Sequence, residues 1–349
     1  MRFYTDRHRY YCGIDLHART MYLCILEHDS GEVVLHRNVR TDPDRFLRAI
    51  EPYREGLVVG AECVFCWYWL ADLCAEEKIP FVLGHALYMK AVHGGKAKND
   101  RVDSHKLATL LRGGAFPTAY VYPRGMRATR DLMRRRLLFV RRRSELFTHI
   151  RILFHQLNLP APSKPFHHPK NRLGLADAVP DPLVRANVEA DLALAERLDS
   201  VVKSLERTIE GQAQADDPDS LRLLRTIPGV GRVLALTLLY ELHDVARFRR
   251  VQNFLSYARL VKSHKTSAGK VKGTSGSKIG NAHLKWAYSE AAVLFLQKNP
   301  PGQRLVNRLR SKHGRGKALS VLAARLGRAS YFMLRNATPF DMDRCLNLN

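Results

Sequence analysis

Acidic side chains stand in this chain where buried strands would ordinarily carry apolar ones. Asp15 interrupts the apolar run Tyr11-Cys12-Gly13-Ile14-Asp15-Leu16, and Glu62 closes a second run, Leu57-Val58-Val59-Gly60-Ala61-Glu62. Asp100 and Asp103 follow in Lys98-Asn99-Asp100-Arg101-Val102-Asp103, just ahead of a helix-like segment at 107–111. A carboxylate in a buried strand is unfavourable unless a cation or a hydrogen-bonding partner neutralises it. A converging set of such groups suits Mg²⁺, which prefers hard oxygen ligands. Metal ions held this way support phosphodiester chemistry by activating one oxygen and stabilising another. One Asp in a strand would read as a stray surface acid. An ordered set on a strongly basic chain points instead to a catalytic metal site, and the fold must bring two strand ends and a helix start together.

The chain has 349 residues, a length that fits more than one domain. A net charge of +24 and a pI near 10.1 exceed what solubility requires and imply a polyanionic partner. A membrane is the weaker alternative, because no apolar stretch reaches transmembrane length and no signal-peptide layout opens the chain. The expected compartment is the cytoplasm. Cysteines 12, 24, 63, 66, 74 and 345 are few and sit mostly in apolar segments, so reduced thiols are expected rather than a disulfide framework. Cys63-Val64-Phe65-Cys66 lacks a second CxxC or paired histidines and reads as packing near Glu62 rather than a zinc site.

Residues 11–27 and 33–39 read as strands joined at the turn signal Asp29-Ser30-Gly31-Glu32. A helix follows from Asp42-Pro43-Asp44 through Ile50, with Pro43 suited to its first turn. The strand at 57–62, an aromatic helix at 67–78 and a strand at 80–83 complete an α/β alternation. An antiparallel start followed by strand–helix alternation, with acids at strand ends and on a late helix, is the ribonuclease H-like order. This first domain is expected to span 1–120.

From 127 to 159 the pattern becomes a long helix in which Arg134-Arg135-Arg136 and Arg141-Arg142-Arg143 alternate with apolar positions. Residues 160–182 read as a loop. A second helix covers about 183–214, with Leu194, Leu198, Val201, Leu205 and Ile209 at coiled-coil spacing. An antiparallel pair within one chain and self-association both satisfy that spacing. This linker is expected over 121–218, and the arginine blocks over phosphates. The remaining 219–349 opens with Ile227-Pro228-Gly229-Val230-Gly231, a turn between helices resembling a helix-hairpin-helix. Gly229 and Gly231 would leave backbone N–H groups free for phosphate. Residues 262–281, nearly devoid of acids, carry Lys265, Lys270, Lys272 and Lys278 and read either as a basic loop gripping a nucleic acid or as the seat of a nucleophilic serine. Helices at 282–297 and 317–335 complete this region.

These residues resemble the DEDD transposases of bacterial insertion sequences, the type understood as RNA-guided recombinases, over nearly the whole chain. Gly13-Ile14-Asp15-Leu16-His17 matches the first acidic motif, Gly60-Ala61-Glu62 the second, and Asp100 and Asp103 the last two. Ile227 to Gly231 matches the family's Pro-Gly-Ile-Gly turn, and 248–255 the segment after it. Thr266-Ser267-Ala268-Gly269-Lys270 matches a Ser-Ser-Gly-Gly-Lys motif, and Ser277-Lys278-Ile279-Gly280-Asn281 a Ser-Lys-x-Gly-Asn motif. The chain departs from the family at Ser104, at 259–262, and at Ala268, where an alanine replaces a glycine and restricts positive φ.

The resemblance implies an α/β ribonuclease H-like (resolvase-like) domain, a helical coiled-coil linker and a small, mainly α transposase domain. It implies Mg²⁺ on Asp15, Glu62, Asp100 and Asp103, and a catalytic serine at Ser267, with Ser277 the alternative, completing the acidic site of another subunit. Donor and target DNA, a guide RNA and a homo-oligomer (dimer or tetramer) are the implied partners. The activity implied is excision and insertion of a mobile element. A hydrolytic Holliday-junction resolvase using the acids alone would leave the Ser267 motif without a purpose. A non-catalytic nucleic-acid binder would explain the charge but not the placed carboxylates.

Overall fold

The computed structural model describes residues 2–92, 99–160, 162, 165–275 and 279–346. The chain divides into two compact units, Met1–Arg124 and Gly125–Asn349.

The first unit is built from strands β1 (Phe3–Tyr4), β2 (Tyr10–Leu16), β3 (Thr20–Glu27), β4 (Val33–Arg40), β5 (Leu57–Glu62), β6 (Phe81–Gly84) and β7 (Phe116–Pro117). Its helices are α1 (Pro43–Ile50), α2 (Trp67–Glu76), α3 (Ala86–Val92) and α4 (Asp100–Arg112). The main sheet has the order β4-β3-β2-β5-β6. β2, β3 and β4 pair antiparallel, whereas β5 joins β2, and β6 joins β5, in parallel. β1 and β7 form a separate antiparallel pair. The expected continuous strand at 11–27 is therefore a hairpin. Its reversal at 17–19 carries neither Gly nor Pro and is held by the His17 N–H on the Thr20 carbonyl (3.0 Å) and by Thr41 Oγ1 on the His17 carbonyl (2.7 Å).

Side chains alternate across this sheet. Cys12, Ile14 and Leu16 of β2, with Leu57, Val59 and Ala61 of β5, meet Phe46, Ile50, Trp67 and Leu70 of α1 and α2 in one core. Tyr11 and Val58 face the other way, against Leu107 and Leu111 of α4. α4 buries Ser104, Leu107, Ala108 and Leu111, the spacing of one helical face. It lies close because Gly13 has no side chain: a Cβ there would overlap the backbone of Ser104, Leu107 and Ala108.

The second unit opens with two long helices, α5 (Arg124–Gln156, whose first residue closes the first unit) and α6 (Pro182–Asp216). They run antiparallel, as three charged rungs record: Arg136 with Glu206 (2.6 Å), Arg143 with Asp199, and His149 with Asp191 (2.6 Å). α6 buries Val188, Ala195, Val202 and Ile209 at strict seven-residue intervals. The stripe expected from sequence is displaced from this one. Only Ile209 is common to both, and Leu194 is 51% exposed, because α5 covers the neighbouring face. The expected loop at 160–182 is anchored: Phe166, Leu175 and Val179 join Phe147, Ile150 and Phe154 in a core at the far end of the pair. Arg172, buried there, pairs with Asp199 at 2.7 Å and lies over the Phe147 ring at 4.7 Å.

A helical bundle follows: α7 (Pro218–Arg225), α8 (Arg232–Leu242), α9 (Val251–Tyr257), α10 (Ala282–Phe295), α11 (Pro300–His313), α12 (Arg315–Asn336) and α13 (Met342–Leu346). The hairpin β8 (Ser263–Ser267) and β9 (Lys270–Ser275) interrupts it. The core is formed largely by α8, α10 and α12, including Leu236, Leu239, Leu284, Tyr288, Leu322 and Leu326. α11 was not anticipated; its start is capped by Asn299, whose side chain accepts from the Gly302 N–H. No helix among the described residues is long and apolar enough to cross a membrane.

Candidate metal centre

Asp15 shares the α4 face of the sheet with Tyr11 and Gly13. By the same alternation Glu62 shares it with Val58 and Gly60, on the strand paired in parallel with β2. Asp100 and Asp103 occupy the first turn of α4 itself rather than a segment ahead of it. Asn99 caps that turn by accepting the Arg101 N–H at 2.9 Å. Acidic residues here also face the positive end of the helix dipole.

The structure draws Asp15 and Asp100 together around His17, a residue for which no role was expected from the sequence. Its Nε2 lies 3.3 Å from Asp15 Oδ2 and 3.7 Å from Asp100 Oδ1. One ligand atom from each of the three falls within 4.8 Å of the others. Asp103 is outside that group and pairs with Lys106 at 3.3 Å. Glu62 is half-buried at the end of β5. A signal for His17 was available, since it stands two residues after Asp15, where a strand end could return it to the same face.

Burial raises the Asp15 pKa most, His17 opposes the rise, and the charges of Asp100 and Asp103 add to it. A carboxyl under that strain favours a cation, which relieves both desolvation and mutual repulsion. The donors at hand, carboxylate oxygens and an imidazole nitrogen, fit a divalent ion.

α4 is clasped to the sheet beside this centre. His36 of β4 puts Nε2 2.9 Å from the Arg101 carbonyl and 3.3 Å from Ser104 Oγ, with the Tyr22 ring edge-on at 5.2 Å. Ser104, where the resembled family has alanine, is buried and donates to the Arg101 carbonyl at 2.9 Å.

In the second unit, the segment read as a basic loop or serine site is a hairpin whose Ser267 pairs with Lys270 across Ala268 and Gly269. Both turn residues have positive φ, 49° at Ala268 and 73° at Gly269, which is the geometry of a two-residue turn matching strand twist. Ala268 thus adopts the conformation its Cβ disfavours. Ser267, Lys270 and Lys272 are exposed, and Lys265 stands on β8. Ser277 and Lys278 lie outside the described residues. The end of their motif has an architectural explanation. Gly280, at φ 105°, passes the Tyr257 carbonyl where a Cβ would overlap it. Asn281 caps α10 by accepting the His283 and Leu284 N–H groups, and donates to Glu241 at 2.7 Å. Gly229, at φ 80°, lets the turn before α8 approach the backbone of Leu294 and Phe295; Gly231 is the N-cap of α8.

The arginine blocks divide. Arg134 pairs with the buried Glu241 at 2.6 Å, while Arg136 and Arg143 are rungs of the helix pair. Arg135 and Arg141 are exposed, and Arg142, also exposed, meets only its helix neighbour Glu145 among described partners. Of the described cysteines none forms a disulfide; Cys63 is exposed rather than packed, and Cys66 Sγ donates to the Leu16 carbonyl at 3.7 Å.

Two family models match the chain. Residues 12–158 match the DEDD transposase family of IS110 elements, and residues 221–307 match the Transposase IS116/IS110/IS902 family. Pilin gene-inverting proteins of Moraxella bovis and Moraxella lacunata are each 31% identical to this chain over 123 residues. Those alignments cover 34% of this chain and 38% of each relative, so only a minor part of either protein is matched. The two family matches do not overlap, hold the acidic motifs in one and the Ser267 motif in the other, and belong to one kind of element. This chain is a member of the DEDD transposase family of insertion sequences.

Proposed function

We propose that the protein is a DNA recombinase that excises and inserts an insertion sequence, with catalysis divided between Asp15, Glu62, Asp100 and Asp103 and a nucleophilic Ser267. The observation that carries this reading is the convergence of Asp15 and Asp100 on one point at the end of β2, the central strand of the sheet. It is supported by membership in a transposase family and by relatives named for inverting a gene.

The sheet arrangement would be the ribonuclease H-like one, its acidic residues holding Mg²⁺. A bound divalent ion supplies charge stabilisation at the scissile phosphate. The carboxylates would hold that ion and through it place the phosphate, and Gly13 and His36 keep α4 close enough for Asp100 to take part. Ser267 Oγ attacks phosphorus. The new Ser–O–P bond forms as the strand's own P–O bond breaks, the hydroxyl proton passes to a nearby base, and the departing DNA oxygen acquires a proton. Reversal by a DNA hydroxyl reseals a strand and regenerates the serine, so no bond energy is lost to water. The exposed hairpin suits a group that must enter another active site, and Lys270 and Lys272 would favour a phosphate beside it.

A net charge of +24 is consistent with simultaneous hold on donor DNA, target DNA and a guide RNA whose base pairing selects the sites. The turn from α7 to α8 would serve as a helix-hairpin-helix contact to backbone phosphate. The linker would occupy 121–218, and the exposed Leu194 on α6 favours a homo-oligomer. Denaturing capture after incubation with element-end DNA tests this: a covalent DNA adduct absent from Ser267→Ala is expected. Nicked DNA without any adduct would make the protein a hydrolytic resolvase instead, and unaltered DNA a binder alone.

A further inference from the structure

The donor set at the centre is not purely oxygen. His17 follows the last residue of β2, and both sides of its backbone are tied: its N–H to Thr20 and its carbonyl to Thr41. The imidazole is therefore delivered to Asp15 and Asp100 from a fixed turn. Its Nε2 makes a long hydrogen bond to Asp15 Oδ2 at 3.3 Å, beside the about 2.7–2.9 Å of a tight charge-assisted bond. It lies 3.7 Å from Asp100 Oδ1 and shares with both a space in which one atom of each falls within 4.8 Å of the others. Neighbouring ligands at right angles around an ion with bonds of about 2.1 Å lie roughly 3 Å apart. A modest inward adjustment of the exposed His17 side chain would meet that spacing with both carboxylates at once.

We propose that His17 is a nitrogen ligand of the cation held by Asp15 and Asp100, so that its imidazole strengthens the binding of Mn²⁺ at this centre more than that of Mg²⁺. The inference rests on the divalent-cation reading of those two carboxylates and adds a ligand to it. Its chemical basis is that carboxylates accept either ion, whereas imidazole binds first-row transition ions and adds little for Mg²⁺. The other donors then fill from Glu62, Asp103 and water.

The test uses the untagged full-length chain with Mn²⁺ alone, without nucleic acid. Pulsed electron paramagnetic resonance reads nitrogen coupled directly to Mn²⁺, and competition with Mg²⁺ reads relative affinity. The wild type should show a nitrogen coupling that vanishes in His17→Ala and His17→Gln, two surface changes whose folding is checked by circular dichroism. Mn²⁺ affinity should fall about tenfold or more in both, and Mg²⁺ affinity less than about threefold. Asp15→Asn should weaken both ions together. Nitrogen coupling that persists without His17, or an unchanged Mn²⁺-to-Mg²⁺ ratio, overturns the proposal while leaving the carboxylate site intact. Wild-type affinity for both ions in Asp15→Asn would overturn the cation site itself, and the role of His17 with it.

Discussion

Asn281 and Glu241, 40 residues apart in sequence, share a 2.7 Å hydrogen bond inside the second unit. The same carboxylate receives Arg130 at 3.0 Å and Arg134 at 2.6 Å, so one buried acid joins α5, α8 and the start of α10. Asn281 is also the last residue of the basic segment that bears Ser267, so the junction holds the end of that segment.

Stability should depend on that acid. Burial opposes its charge, but the Arg134 bond, the Arg130 and Arg134 charges and the Asn281 amide outweigh burial and hold the pKa at about 2, against an ordinary 4.5. A depressed carboxyl pKa contributes stability above the unfolded value and loses it as pH falls, here from about 4.5 toward 2. That contribution is on the order of 3 kcal/mol. Glu241→Gln should cost about 3–5 kcal/mol at neutral pH by leaving two arginines without their counter-charge, and should flatten the acid limb of urea unfolding.

Gly13→Ala tests how α4 reaches the sheet. The new Cβ meets helix backbone, which cannot rotate away, so a loss of about 3 kcal/mol or more is expected. Thermal unfolding should register it, and ion binding at Asp15 and Asp100 should weaken in parallel.

Asp15→Asn should separate catalysis from folding. The raised Asp15 pKa means the native state holds this proton more tightly than the unfolded chain, so without metal its ionisation removes stability as pH rises. The variant should therefore be at least as stable as wild type at neutral pH without metal. A divalent ion at a hundred times its Kd should stabilise wild type by about 3 kcal/mol and leave the variant unmoved. Strand exchange should fall by about three orders of magnitude.

The arginines should respond in two classes. Replacing Arg135, Arg141 and Arg142 with alanine should flatten the salt dependence of DNA affinity by about 0.9 in log–log slope for each phosphate no longer neutralised, with unfolding unchanged. Replacing Arg136 or Arg143 should lower stability, since each meets an acid of α6. Equilibrium binding from low to high salt, with denaturant unfolding alongside, distinguishes them.

Mixing experiments address subunit sharing. Asp15→Asn and Ser267→Ala proteins, each inactive alone, should regain part of the activity together, because a hybrid site can combine an intact acidic centre with an intact serine. An active Ser267→Ala protein would remove this serine from the chemistry.

The strand at Leu57–Glu62 was legible because a continuous apolar run ends there, and α1 because Asp42 and Pro43 mark its start. The reversal after β2 was not, since it depends on Thr41, 24 residues beyond His17. Charge on α5 was equally visible, but its use was not. Whether an arginine faces phosphate or carboxylate depends on Glu206 and Asp199, which lie 70 and 56 residues from their partners. The Ser, Gly and Lys content of 262–281 suggested a loop, whereas the backbone pairs as a hairpin closed by an alanine in a conformation that residue rarely takes. Asp15 and Glu62 stood out in the sequence because each interrupts or ends an apolar strand, whereas Asp100 and His17, exposed and beside turns, carry no such contradiction.

The antiparallel helix pair behaves as a graduated rod. Two of its rungs lie seven residues apart, Arg136 and Arg143 on one arm and Glu206 and Asp199 on the other, the spacing of Val188, Ala195, Val202 and Ile209. The His149–Asp191 rung departs from that step by one residue on each arm. Seven residues advance a helix by about 10 Å and nearly two full turns. Removing one such unit from each arm would bring the distal core inward by that distance with its faces still aligned. Removing three or four would turn acid toward apolar surface. Length in this region can therefore change only in discrete steps, and related chains that differ in span should differ by whole steps.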